Sequence, residues 1–284
     1  MKLSPLTGLV VSGLMVFSHA AVYAEQTEVG LGYFSFSRDS GDSTAIYVQG
    51  RYFLEPVSRG DSPWYEADFL SHKSSVMGAI GQVTLSSGPS EDDGPMMLVS
   101  YRHVVPGSLV TIGLEYKSLE LEESGVTLET SGFELSGGKY LKPTMWVGAS
   151  YESLTTSLTG FNDTDATEFG LHYKNILTVQ GTKSVNVEAM LASLSLESGT
   201  TKDSNTIIEV GGDYYIDQKT GIGGSFNINS GDNLSSEGNT IEVRATMYFT
   251  PKIHGELRYE SFSASDTTAG ENESGFELVV VSEF

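Results

Sequence analysis

Cysteine is absent from this chain of 284 residues, so its stability owes nothing to disulfides. Basic residues are scarce: 16 Lys and Arg stand against 37 Asp and Glu, a net charge of −21 that argues against nucleic acid and anionic membrane surfaces as partners. Long apolar runs are missing as well. Beyond Ala24 the longest aliphatic stretch is Leu278 to Val281, far short of what a transmembrane helix needs. No helical apolar stripe occurs beyond that point either, which leaves a helical bundle without support. Proline is sparse at 8 residues, whereas glycine at 32 and aromatics at 10% fit an all-β chain with many turns.

The amino-terminal stretch "MKLSPLTGLVVSGLMVFSHAAVYAEQ" joins Lys2, an apolar core from Leu9 to Phe17 and the small-residue site Val22-Tyr23-Ala24. That is the pattern of a secretory signal peptide, and the core is too short to span a bilayer. The expected organisation is a cleaved leader over residues 1–24 and a single domain over 25–284.

Within that domain, apolar and polar residues alternate segment after segment. "SLVTIGLEYKS" sets Val110, Ile112, Leu114 and Tyr116 against Thr111, Glu115 and Lys117; "NTIEVRATMYF" sets Ile241, Val243, Met247 and Phe249 against Glu242, Arg244 and Tyr248. "TEFGLHYKN" and "KIHGELRYES" behave alike. Tight turns with Pro, Gly or Asp ("VPGS", "LKPT", "DQKTG", "TPK") alternate with longer acidic stretches such as "SSGPSEDDGP" and "TGFNDTDA", the signature of an up-and-down meander.

A soluble sandwich also alternates, but it has no use for charges in mid-strand on the face away from lipid. Here Arg51, Glu115, Glu134, Arg244 and Glu256 occupy such positions, and a dry core would have to neutralise each at a cost of several kcal/mol. A water-filled lumen removes that cost, and the apolar faces run for about ten residues, the reach of a tilted membrane strand. The expected fold is an all-β, antiparallel transmembrane barrel of about 14 strands, with 12 or 16 as alternatives, in which Trp64 to Leu85 forms one long bent strand.

The last strand, "SGFELVVVSEF", places Phe276, Leu278, Val280 and finally Phe284 on its apolar face. It resembles the carboxy-terminal aromatic signature of Gram-negative outer-membrane barrels, which implies an outer-membrane location and recognition by the barrel assembly machinery, with periplasmic chaperones on the way. The segment Tyr52 to Val76, with Glu66-Ala67-Asp68-Phe69-Leu70, resembles a proteobacterial putative-porin family in which a Pro-containing turn leads into a Glu-Ala-x-Phe-Leu strand.

Motifs for chemistry are few. Of the histidines, His103 falls on the lipid-facing side, while His172 and His254 face the lumen beside Glu168 and Glu256. No Gly-x-Ser-x-Gly or His-x-x-x-His spacing accompanies them, and the acidic stretches "NDTDATE" and "SEDDG" lack the glycine that an EF-hand loop requires. Neither an enzyme nor a cofactor or metal site is expected. The expected function is passive diffusion of small hydrophilic solutes through the outer membrane, by a monomer or a homo-oligomer set in lipid and lipopolysaccharide. The alternative is a non-conducting structural or adhesive barrel. Strand parity assigns to the pore lining the acids Glu66, Asp68, Glu115, Glu134, Glu152, Glu168, Glu188, Glu209, Glu242 and Glu256 and the bases Arg51, Arg102, Lys117, Lys174, Arg244 and Arg258. Asp213, Glu260 and Glu277 add to the acids, and their excess predicts a cation preference.

Overall fold

A computed structural model of the chain describes residues 26–284 apart from 39–40, 58–61, 88–89, 124–125, 160–162, 182, 200, 232–237 and 265–271. The expected leader, residues 1–24, lies outside the described residues. The rest is a closed antiparallel barrel of 14 strands in sequence order. They are β1 (Thr27–Arg38), β2 (Gly41–Phe53), β3 (Ser75–Ser87), β4 (Ser90–Val105), β5 (Val110–Glu123), β6 (Val126–Lys142) and β7 (Met145–Leu158). β8 (Thr164–Gln180), β9 (Lys183–Ser198), β10 (Thr201–Tyr215), β11 (Thr220–Gly231), β12 (Gly238–Thr250), β13 (Ile253–Ala264) and β14 (Glu273–Glu283) complete the ring.

The period-2 alternation explains the wall. Ile112, Leu114, Phe169, Val243, Leu257 and Tyr259 point away from the bore and are about half exposed, Leu114 at 50%, as expected of an apolar belt that meets lipid. Between β1 and β14 the pairing runs from Glu28↔Glu283 to Arg38↔Glu273, so no strand edge is left unpaired. Outside this seam the Tyr33 and Phe276 rings meet at 5.7 Å, and beyond it the Phe284 amide donates to the Thr27 carbonyl at 2.8 Å. Phe276, Leu278 and Val280 all face outward, as their spacing predicts.

One end of the barrel gathers the tight turns at 106–109, 143–144, 216–219 and 251–252, together with Gln26 and Phe284. The β8–β9 turn lies there too, unmarked by proline or aspartate; Gly181 holds φ +59° in it, a conformation costly for any side chain. Register shifts in three hairpins, at Tyr140/Lys142, Thr178/Gln180 and Tyr248/Thr250, fall at this turn end.

Two expectations are corrected. Several acidic stretches expected as loops are strand: only residues 88–89 separate β3 from β4, so Glu91, Asp92 and Asp93 belong to β4. The strands run 11 to 17 residues, longer than a bilayer requires, and carry their acids past the apolar belt. The second correction concerns Trp64 to Leu85, which is not one bent strand. Trp64–Glu66 is a 3-10 turn and Ala67–Ser71 a short helix, α1; the chain becomes β3 only at Ser75. Residues 54–74 therefore form an insert between β2 and β3 at the turn end, and its described part from Trp64 to Ser71 folds into the bore.

Candidate functional site

The insert is pinned to the wall by its backbone and by its acids. The Trp64 amide donates to the Gln218 carbonyl at 2.8 Å, the Tyr140 hydroxyl donates to the Phe69 carbonyl at 3.1 Å, and the His72 ring contacts the Pro143 carbonyl at 2.8 Å. Glu66, only 4% exposed, accepts from the Tyr215 hydroxyl at 2.7 Å and pairs with Lys174 at 2.9 Å. Asp68 pairs with Arg51 at 2.9 Å and with Arg102, and the Tyr65 hydroxyl donates to Glu256. Acids on the insert thus meet bases on β2, β4 and β8, which offsets much of the cost of burying either charge.

The neighbouring wall is equally compensated. Arg244 holds Asp213 through two bonds, at 2.6 and 2.8 Å, and reaches Glu242 at 2.9 Å. Arg258 bridges Glu256 at 2.9 Å with Glu242 and Glu277, each at 3.3 Å. Glu188 takes Lys174 at 2.8 Å and an Asn186 amide at 2.7 Å. Glu66, Glu188 and Asp213 converge closely enough to suggest a metal site, but Lys174 and Arg244 already supply the positive charge among them.

Further toward the other end the pattern changes. Glu115 stands directly opposite Glu134, Glu134 opposite Glu152, and Glu152 opposite Glu168, a row of four like charges across β5 to β8. Like charges directly opposite on adjacent strands are destabilising. Lys117 pairs with Glu152, whereas Glu115, Glu134 and Glu168 enter no ion pair among the described residues.

The bore is not uniformly polar. Ala45, Val83 and Leu121 form an inward cluster with Phe34, Leu85, Met96, Leu119 and Leu128, and Tyr47 packs on Val279 and Val281 beside it. Apolar side chains therefore fill part of the space along β1 to β6 that alternation alone assigns to water, and the acidic row borders it. Two cavities flank the insert: one of about 460 Å³ toward β1, β2 and β12 to β14, the other of about 380 Å³ toward β5 to β10. Phe69, Arg102 and Lys174 line both and separate them.

Of the charged residues assigned by parity to the lining, Arg51, Glu66, Asp68, Arg102, Lys174, Glu188, Glu209, Glu256 and Arg258 border the two cavities. Glu66 and Asp68 belong to the insert and not to a strand, and Glu256 is engaged by Tyr65 and Arg258. His172 bonds Ser150 at 2.8 Å, and His254 approaches Glu283 at 3.2 Å. Trp146, Tyr140, Tyr215 and Tyr248 are inward aromatics absent from the predicted lining, although the parity that places the charges would have found them too.

A closed barrel with an apolar outer belt and a charged bore defines a transmembrane β-barrel. Solved structures agree on the fold. The Acinetobacter baumannii outer membrane protein Omp33 superposes with a TM-score of 0.59 at 16% identity, over 92% of this chain and all 100% of that one. The TodX deltaS2S3 mutant monoaromatic hydrocarbon channel gives 0.53 at 9% identity, over 93% and 91% of the two chains. The Ralstonia pickettii toluene transporter TbuX gives 0.51 at 11%, over 92% and 90%. The chain has the architecture of Gram-negative outer-membrane barrels. No family model matches its sequence, and no curated protein does.

Proposed function

We propose that this protein is an outer-membrane diffusion channel for small hydrophilic solutes that prefers cations. The observation that carries the proposal is the row Glu115, Glu134, Glu152 and Glu168, whose mutual repulsion the fold tolerates while it neutralises nearly every acid at the turn end. Fourteen strands support it, because a bore of eight is filled by side chains whereas sixteen leave an aqueous channel. The tight turns and Phe284 then lie on the periplasmic side, so the insert narrows the channel from within the cell envelope. Placement in lipid and lipopolysaccharide, delivery by periplasmic chaperones and insertion by the barrel assembly machinery belong to the same proposal.

Reversal potentials in planar bilayers under a KCl gradient test it. The potassium ion should be favoured in dilute salt, where the Debye length is about 8 Å at physiological strength, and less so near 1 M, where it is about 3 Å. An anion-favouring potential in dilute salt overturns the preference.

The insert and the apolar cluster favour a second reading, a barrel that conducts nothing and acts through its outer surface. Absence of single-channel steps at any voltage would establish that alternative.

A further inference from the structure

The cavity toward β5 to β10 contains a flat surface that packing does not require. Trp146 points into the bore from β7, and its indole N–H donates to the Thr111 hydroxyl at 2.9 Å. Gly138 and Gly148 lie directly beneath the ring: a Cβ on either would fall inside the indole. Their lack of side chains lets the ring lie close against the barrel wall, where it also lines the cavity. His172 lies beside it at 6.4 Å between ring centroids, over Gly170 in the same manner. Phe69 from α1 and Tyr140 from β6 contribute further aromatic surface.

The charges of this cavity are unequal in their commitments. Arg102 is held by Asp68 and the Lys73 carbonyl, and Lys174 by Glu66 and Glu188. Glu209, in contrast, lines the cavity and enters no ion pair among the described residues. By register it sits on the same transverse row as the platform: Gly148 faces His172, His172 faces Met190 and Met190 faces Glu209. Three strand spacings of about 4.8 Å put its backbone roughly 14 Å along the wall from Gly148, a span that the two side chains and one ring-sized ligand can close.

We infer that this cavity binds a small organic cation with a flat apolar face, which stacks on Trp146 and sets its charge against Glu209. An indole face is the best aromatic partner for a cation, and a carboxylate in no ion pair among the described residues supplies the countercharge. Four further carboxylates, Glu115, Glu134, Glu152 and Glu168, lie on the approach from the loop end and raise the local concentration of such a ligand. The inference deepens the channel proposal by naming a substrate class, but binding does not depend on conduction.

The test is calorimetric titration of the detergent-folded barrel with benzamidinium, with benzoate as the anion of like shape and glucose as a neutral ring. Benzamidinium should bind, and the other two should not. E209Q and Trp146→Leu should each weaken binding by about tenfold or more while heat-modifiable migration stays unchanged. Gly148→Ala, which lifts the ring from the wall without removing it, should weaken binding as well. If Trp146→Leu does not fold, E209Q decides. Benzoate or glucose binding as tightly as benzamidinium, absence of benzamidinium binding, or unchanged affinity in E209Q overturns the inference. Absence of KCl current with benzamidinium binding intact counts against the channel proposal alone.

Discussion

The two ends of the bore treat charge in opposite ways. At the turn end, Glu66, Asp68, Glu188, Asp213, Glu242 and Glu256 each meet a base or a hydroxyl, and the contacts of Glu66, Asp68 and Glu256 hold the insert. Farther along, Glu115 stands opposite Glu134, and Glu134 and Glu168 flank Glu152. A compensated carboxylate contributes to rigidity, whereas an uncompensated one keeps its field and is available to a passing ion. Acid content alone does not separate the roles; the partner does.

The comparison breaks most sharply at Lys174. Lys174→Met leaves Glu66 buried without its cation, an imbalance that costs about 3–5 kcal/mol in comparable pairs and is relieved when the insert leaves the bore. Cleavage by added protease between residues 54 and 74 should increase, the barrel should stay heat-modifiable, and single-channel conductance should rise several-fold. Unchanged protection of the insert would show that its backbone contacts suffice.

Next in size is the selectivity of the acidic row. Replacing Glu115, Glu134, Glu152 and Glu168 together by Gln should bring the reversal potential in dilute KCl close to zero. Glu256→Gln should leave it nearly unchanged, because Arg258 already neutralises that group. Equal effects would mean that compensation does not decide function.

Phe284→Asp concerns neither end of the bore. It should leave export intact and lower the fraction of folded, heat-modifiable barrel in outer-membrane fractions, while the barrels that do fold conduct as before. The smallest effect sharpens the comparison from the side of stability. Glu134 has a like charge on both flanks, so Glu134→Gln should raise the denaturant midpoint by the equivalent of about 0.2–1 kcal/mol for each pair relieved. The same change at Glu188, among Lys174, Asn186 and Arg244, should lower it.

The walls were legible in the sequence because a strand's facing repeats every two residues, so Glu115 and Lys117 could be placed inside without knowing their neighbours. The insert was not, because Glu66-Ala67-Asp68-Phe69-Leu70 alternates well enough to pass for strand. Its helical signals were present all the same: Pro63 stands just before Trp64, Glu66 lies in the 3-10 turn and Asp68 in the first turn of α1. The row of four glutamates was beyond reach for another reason. Each was assigned to the lumen, but which acid stands opposite which depends on register across four strands, and hairpin lengths blurred by acidic stretches do not determine it.

The inward face of β14 has a consequence for the order of events during assembly. Glu283 accepts from the Tyr248 hydroxyl at 2.7 Å, and the Tyr248 ring meets Trp64 edge-on at 5.3 Å. Val57, Tyr65 and Val281 line one space with them. This seat combines the final strand with β12 and β13, so it is complete only when the last strand has joined the sheet. A half-assembled chain can offer the insert its contacts with β2, β4, β6, β8 and β10 but not this side of its seat, so the insert is enclosed on all sides only when the ring is shut.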